Sequence, residues 1–256
     1  MSSSHDSRIL DQFTRQAAPF AAAAPIRNQE ALDRIVQWAD AGPEDTVLDV
    51  ACGPGLLACA FARVAKHVTG IDTTPAMLEQ ARKTQEEQGL KNVTWLPGNV
   101  YSLPSPEGQF SIVSSRFVFH HLQDPIAALK EMKRVCKPSG KIVVADMAPH
   151  PAKAAALNAA ELLRDPSHVR GMPEDELREL FAQVGLGAPQ VNNYRMEGEM
   201  EDLLSRSFPN EGDADRLRTI YAGSIDDNAL DLNTRRADGK IFYSMPVAVL
   251  VAQKSN

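Results

Sequence analysis

Apolar positions along the chain switch repeatedly between two periods. Residues 27–41 place Ala31, Leu32, Ile35, Val36, Trp38 and Ala39 on one helical face, and Gly42-Pro43 ends the run. Val47-Leu48-Asp49-Val50 then reads as a short buried strand, followed by a Gly/Pro turn and a helical stretch over 56–66. The alternation continues with a strand at 67–71, a helix at 75–88 that has Pro75 at its start and Gly89 past its end, and a strand at 93–96. A fourth strand covers 110–115. An amphipathic helix carrying Ile126, Leu129, Met132 and Val135 covers 125–137, and a fifth strand at 141–145 follows the Pro138-Ser139-Gly140 turn.

Beyond Asp146 the rhythm changes. Helices are expected at 152–164 and 173–184, a sixth strand at 189–196, a polar helical region at 200–238 and an alternating final strand at 241–252. Strands alternating with helices of this length predict an α/β fold with a doubly wound, mainly parallel sheet of seven strands, the last antiparallel. Residues 1–26 read as a flexible arm or short helices able to act as a lid. Residues 27–256 read as a single domain, with helical insertions at about 152–172 and 200–238 roofing a pocket.

Composition narrows the function classes. Of 256 residues, 43% are hydrophobic and 23% charged, enough apolar surface for a full core. The 27 basic and 33 acidic residues give a net charge of −6, which argues against binding nucleic acid through its phosphates. No apolar run is long enough for a membrane span. The Ala-rich stretch at 17–24 is broken by Pro19 and flanked by Pro25, and it follows Asp6, Arg8, Asp11 and Arg15, which argues against a signal peptide. Three cysteines, Cys52, Cys59 and Cys136, form neither a disulfide framework nor a CxxC metal pair, so a reducing cytoplasm is the expected home.

The chemistry gathers where parallel sheets bind ligands, beyond the carboxyl ends of the strands. After the first strand the chain runs Asp49-Val50-Ala51-Cys52-Gly53-Pro54-Gly55 into a helix, where glycines permit close backbone approach and the helix N-terminus offers free N–H groups. Asp72 closes the second strand, a position suited to a carboxylate that accepts from both hydroxyls of a ribose. The spacing Gly53-x-Gly55-x-x-Ala58 also satisfies a dinucleotide-binding fingerprint, so an NAD(P)-dependent oxidoreductase is an alternative. A cofactor-binding protein without group transfer is another.

The order of further motifs separates these readings. Val47 to Gly55, Gly70-Ile71-Asp72-Thr73-Thr74-Pro75-Ala76-Met77-Leu78, Gly98-Asn99-Val100 with Leu103-Pro104, and the segments at 110–122 and 129–141 together resemble class I S-adenosylmethionine-dependent methyltransferases. The likeness is to the small-molecule branch related to ubiquinone and menaquinone biosynthesis, and it is strong over about residues 30–147. It implies a Rossmann-like fold, S-adenosylmethionine as cofactor with S-adenosylhomocysteine as product, no metal, and a small-molecule methyl acceptor. It also implies site residues. Asp49 would orient the loop near the sulfonium, the backbone of Ala51 and Gly53 would meet the methionine moiety, and Gly55 belongs to the same glycine loop. Asp72 would hold the ribose, Thr73 and Met77 the adenine rim, Asn99 and Val100 the adenine edge, and the Arg116 carbonyl the amino group. Ala51 stands where many members have glycine, a replacement that a methyl group tolerates if φ is negative there, and Asn99 stands where Asp is common.

Methyl transfer from a sulfonium depends mainly on proximity and orientation, with a general base useful for hydroxyl or thiol acceptors. His120 and His121, just past the fourth strand, are the candidate bases, and as adjacent residues they make no metal pair. Phe13 and Phe20 in the arm, with His168 and Arg170 in the insertion, are candidates for contacting substrate. No Asn/Asp-Pro-Pro-aromatic tetrad follows the fourth strand, where Ser115-Arg116-Phe117-Val118 stands, which speaks against nucleic-acid methylation. The acceptor atom and the oligomeric state are open, a homodimer included.

Overall fold

Five strands pair in parallel, and all but the edge strand bury most of their residues, so both faces of the sheet must be covered. They are β1 (Thr46–Val50), β2 (His67–Asp72), β3 (Val93–Pro97), β4 (Phe110–Arg116) and β5 (Cys136–Met147). This is a computed structural model and it describes residues 4–255; the first three residues of the 1–26 arm lie outside the described residues. Alternate residues of each strand serve opposite faces. Val47, Val68, Ile112, Val143 and Val249 meet Leu32, Ile35 and Phe61 from α2 (Gln29–Trp38) and α3 (Leu56–Ala62). On the other face Val113, Ile142, Val144 and Leu250 meet Leu129, Met132, Leu177 and Phe181 from α5 (Pro125–Val135) and α7 (Glu174–Gln183).

The sheet order is β3-β2-β1-β4-β5-β8-β6, in which β6 is Gln190–Glu199 and β8 is Lys240–Gln253. β8 runs antiparallel to both β5 and β6, so the final strand is inserted between them. Strand order reverses between β1 and β4, and a crevice opens there at the carboxyl ends. The sheet has eight strands, one more than the seven expected. The extra strand, β7 (Arg235–Ala237), pairs with β8 through a two-residue turn at Asp238-Gly239, both at positive φ (48° and 74°). Asp-Gly between strand-like flanks is a hairpin signal, here sitting inside a region read as helical. The Pro138–Gly140 turn is a bulge within β5, where the partner register jumps from Phe110–Cys136 to Ile112–Lys141.

The described part of the arm holds one helix, α1 (Ser4–Ala22), in place of several short ones; Pro19 lies near its end, where few backbone bonds remain to be lost. α4 (Pro75–Glu87) opens with proline at its first turn. A third cluster joins α6 (Ala154–Arg164), α8 (Met200–Ser205) and α9 (Asp213–Asp227) to Tyr243 and Met245 of β8. No helix among the described residues is long and apolar enough to cross a membrane.

Candidate active site

The loop after β1 is built on three left-handed residues, Ala51 (φ 53°), Gly53 (φ 53°) and Gly55 (φ 76°). An alanine is tolerated at this position without strain only where φ is negative. Its methyl group instead sits in the left-handed region, at a cost of about 1–2 kcal/mol, so the loop holds a strained residue at its entrance. The two glycines divide the work. A Cβ on Gly53 would find nothing nearer than Met77 Sδ at 4.0 Å, so this backbone is open to the crevice. A Cβ on Gly55 would lie 2.5 Å from the Trp95 ring and 3.0 Å from Ala81 Cβ, and Gly55 does not line the crevice. Gly55, expected at the cofactor, serves instead the close packing of the loop against β3 and α4.

Asp72 locks this loop. One carboxylate oxygen accepts from the Gly53 N–H and the other from the Thr74 N–H, both at 2.8 Å. The Thr74 hydroxyl and the Thr73 N–H also turn toward this carboxylate, which lines the cavity described below. Burial pushes the Asp72 carboxyl above its ordinary range, and these backbone donors pull it back. Asp49, at the end of β1, accepts from the Ser114 hydroxyl at 2.9 Å, and burial raises its pKa to about 7. A nearby cation would favour its ionised form.

A cavity of about 400 Å³ lies over the loop. Asp49, Ala51, Gly53, Asp72, Thr73, Met77, Asn99, Val100 and Arg116 all line it. The Asn99 side-chain oxygen already accepts from the Tyr101 N–H at 2.8 Å, leaving one lone pair and the amide N–H groups for a ligand edge. Phe13 and Phe20 line the cavity from α1, joined by His5, Ile9 and Leu10, residues that sequence reasoning missed. The signal was there in the helical spacing 5, 9, 13, 20, hidden by the polar composition and Pro19.

The two adjacent histidines part company. His121 lines the cavity, with its ring edge-on to Phe13 at 5.0 Å and its Nδ1 donating to the Ser167 carbonyl at 3.1 Å. Burial, reinforced by neighbouring His120, lowers its pKa to about 3. It is therefore a neutral imidazole at pH 7 whose Nε2 carries the lone pair. His5 Nε2 donates to the His121 carbonyl at 2.8 Å and ties α1 to the same spot.

His120 points away from the cavity. Its Nδ1 lies 2.6 Å from Asp146 Oδ1, while Asp146 Oδ2 accepts from the Val118 and Phe119 N–H groups. Burial opposes charge on His120, yet the Asp146 carboxylate lifts its pKa above the ordinary value. His168 also stays outside the cavity, with Nε2 2.7 Å from Asn158 Oδ1. Arg170 is exposed and pairs with Glu176 at 2.6 Å, because the 165–172 loop turns it outward. His120, His168 and Arg170 thus do not meet a ligand in this cavity. The inserted helices support the site from behind: Asp165 and Ser167 hold His121 and Gln16, while the cavity wall itself comes from residues 5–122.

A family model described as a methyltransferase domain matches residues 48–144. The chain is 30% identical over 196 residues to the uncharacterized methyltransferase YcgJ of Bacillus subtilis, covering 76% of this chain and 78% of that protein. It is 35% identical over 145 residues to a ubiquinone biosynthesis O-methyltransferase of Actinobacillus pleuropneumoniae, covering 53% and 62% respectively. The solved structure of the Bacillus YcgJ protein superposes with a TM-score of 0.78 at 25% identity, covering 89% of this chain and 99% of that one. With the glycine loop, the acid at the end of β2 and the reversed sheet order already in place, these likenesses show that the chain belongs to the class I S-adenosylmethionine-dependent methyltransferases.

Proposed function

We propose that this protein transfers a methyl group from S-adenosylmethionine to a small organic acceptor that meets the donor under α1. One observation carries the reading: residues suited to an adenosyl ligand and a neutral, cavity-facing His121 border the same 400 Å³ space. The open backbone at Gly53 and the cavity-lining carboxylate of Asp72 fit a ribose held against the loop. Thr73, Met77, Asn99 and Val100 would hold the adenine. Asp49 would face the positive charge.

When bound, S-adenosylmethionine supplies a methyl group already activated by its sulfonium. The chain's own task is then placement, which can contribute about 7–11 kcal/mol toward the barrier. Phe13, Ile9, Leu10, Val118 and Leu122 give the acceptor end an apolar wall that excludes water. His121 Nε2 orients an acceptor hydroxyl or amine through its lone pair. A pKa of about 3 makes it a hydrogen-bond acceptor and not a proton store at pH 7. Quinol-like acceptors suit such a wall, in line with the ubiquinone-pathway relative. The absence of a disulfide framework among three buried cysteines supports a cytoplasmic location.

Calorimetry with S-adenosylhomocysteine, followed by transfer of labelled methyl to a panel of phenols, quinols, amines and thiols, tests this reading. Micromolar binding and label in one acceptor class are expected. Silence toward S-adenosylhomocysteine together with quenching of nicotinamide fluorescence would overturn it in favour of the oxidoreductase alternative.

A further inference from the structure

His121 is set in place by a carboxylate that it does not touch. Its Nδ1 faces two oxygens of Ser167, the carbonyl at 3.1 Å and the hydroxyl at 3.2 Å. A carbonyl can only accept. The hydroxyl has one proton, and Asp165 Oδ1 takes it at 2.6 Å while also accepting from the Ser167 N–H at 2.9 Å. Toward His121 the hydroxyl therefore offers a lone pair alone, so both oxygens require the proton on Nδ1 and leave the lone pair on Nε2. Without Asp165 the Ser167 hydroxyl could turn and donate to Nδ1, which is the arrangement of the opposite tautomer.

Asp165 also holds the roof of the cavity. It follows α6 directly and is 1% exposed, and its second oxygen accepts from Gln16 Nε2 of α1 at 3.3 Å, with Arg164 Nη1 at 3.9 Å. Gln16 is itself 2% exposed, so this contact is closed to water. Nearer the start of α1, His5 donates to the His121 carbonyl and Phe13 lies edge-on to the His121 ring. The helix thus meets both the histidine and the carboxylate that sets it. We infer that Asp165 is a positioning residue with two arms: through Ser167 it fixes the His121 tautomer, and through Gln16 it couples that setting to closure of α1 over the cavity. The inference rests on the reading of His121 as the group that faces the acceptor. When α1 lifts, Gln16, His5 and Phe13 leave together, water reaches Asp165 and the imidazole, and the His121 proton redistributes between the two nitrogens.

The test uses the ligand-free protein and two readouts. Nitrogen-15 spectra of histidine-labelled protein near pH 8 report the tautomers, with His121 identified among the six histidines by its absence in His121→Gln. Amide hydrogen exchange reports the closure of α1. The native protein is expected to show one His121 tautomer, protonated on Nδ1, and slow exchange along α1. Gln16→Glu sets a second carboxylate against Asp165, and should speed α1 exchange by about 10-fold and populate the other tautomer. Gln16→Glu combined with Asp165→Asn reverses donor and acceptor across the same contact, while the remaining amide oxygen still accepts from Ser167. That pair should return both readouts to within about threefold of native. If Gln16→Glu fails to fold, Gln16→Met removes the donor without adding charge and should move both readouts the same way. Faster α1 exchange with an unmoved His121 signal would overturn the inference. So would unchanged exchange in the Gln16 variants, a double variant no nearer native than Gln16→Glu, or a native His121 protonated on Nε2. None of these outcomes involves the methyl donor, whose assignment fails instead through silence toward S-adenosylhomocysteine with both readouts intact.

Discussion

The backbone N–H of Gly53 donates to Asp72 Oδ2 over 2.8 Å, so the acid that ends the second strand holds the loop after the first. Asp72 therefore has two roles, one in shaping the loop and one in receiving a ribose. Asp72→Ala should weaken S-adenosylhomocysteine binding by about 10- to 100-fold, the worth of one or two hydrogen bonds to a charged group. It should also lower stability, because Gly53 and Thr74 lose their acceptor. Asp72→Asn keeps one acceptor oxygen and should recover part of each. Calorimetry beside thermal unfolding separates the two effects.

The two loop glycines should fail in different ways. Gly55→Ala forces a methyl group to 2.5 Å from Trp95 at a φ of 76°, which should destabilise the protein by about 2–4 kcal/mol. Gly53→Ala meets open space and should cost only the left-handed penalty of about 1–2 kcal/mol, while placing its methyl group in the cavity. Thermal melts should rank Gly55→Ala as the worse folder, and ligand titration should rank Gly53→Ala as the worse binder.

Ala51 offers the reverse experiment. At φ 53° its side chain strains the loop, so Ala51→Gly relieves about 1–2 kcal/mol in the folded state and gives back about 0.5–1 kcal/mol as unfolded-chain entropy. The variant should melt slightly higher than the native protein, by no more than a few degrees. A lower melting temperature would show that the methyl group contributes packing that outweighs the strain.

Asp49 makes stability and binding depend on pH with opposite signs. Its pKa rises on folding from 3.8 to about 7, so between those values the folded chain keeps a proton that the unfolded chain has released. Stability is thus lost as pH rises across that window. Asp49→Asn should remove the loss, matching the native protein near pH 4 and exceeding it by on the order of 1–4 kcal/mol at pH 8. Binding should run the other way. The preference of the native protein for the cationic donor over its neutral product should grow from pH 6 to pH 8, and Asp49→Asn should flatten that growth in paired titrations.

The parallel half of the fold was legible because its signals are local. Buried strands, a Gly/Pro turn and a helix with proline at its start are short-range features, and Asp49, Gly53 and Asp72 follow from their place at strand ends. What escaped depends on distant partners. His120 and His121 are indistinguishable as neighbours in sequence, and only Asp146 on one side and Ser167 on the other separate them. Gly55 was read as ligand-facing because nothing near it announces Trp95, which arrives from a different strand. α1 was obscured by its own polar surface, although its cavity-facing spacing is regular.

The placement of β8 has a consequence for how the chain is made. It fills the gap between β5 and β6, yet follows both in chain order by many residues. While the nascent polypeptide still lacks residues 240–253, Ile142, Val144 and their neighbours present a raw border with dangling amides and carbonyls, and the ribosome-bound intermediate is exposed to mispairing with other copies. A stop codon just before that segment should therefore yield inclusion bodies, even though every group assigned to donor binding would already have been synthesised.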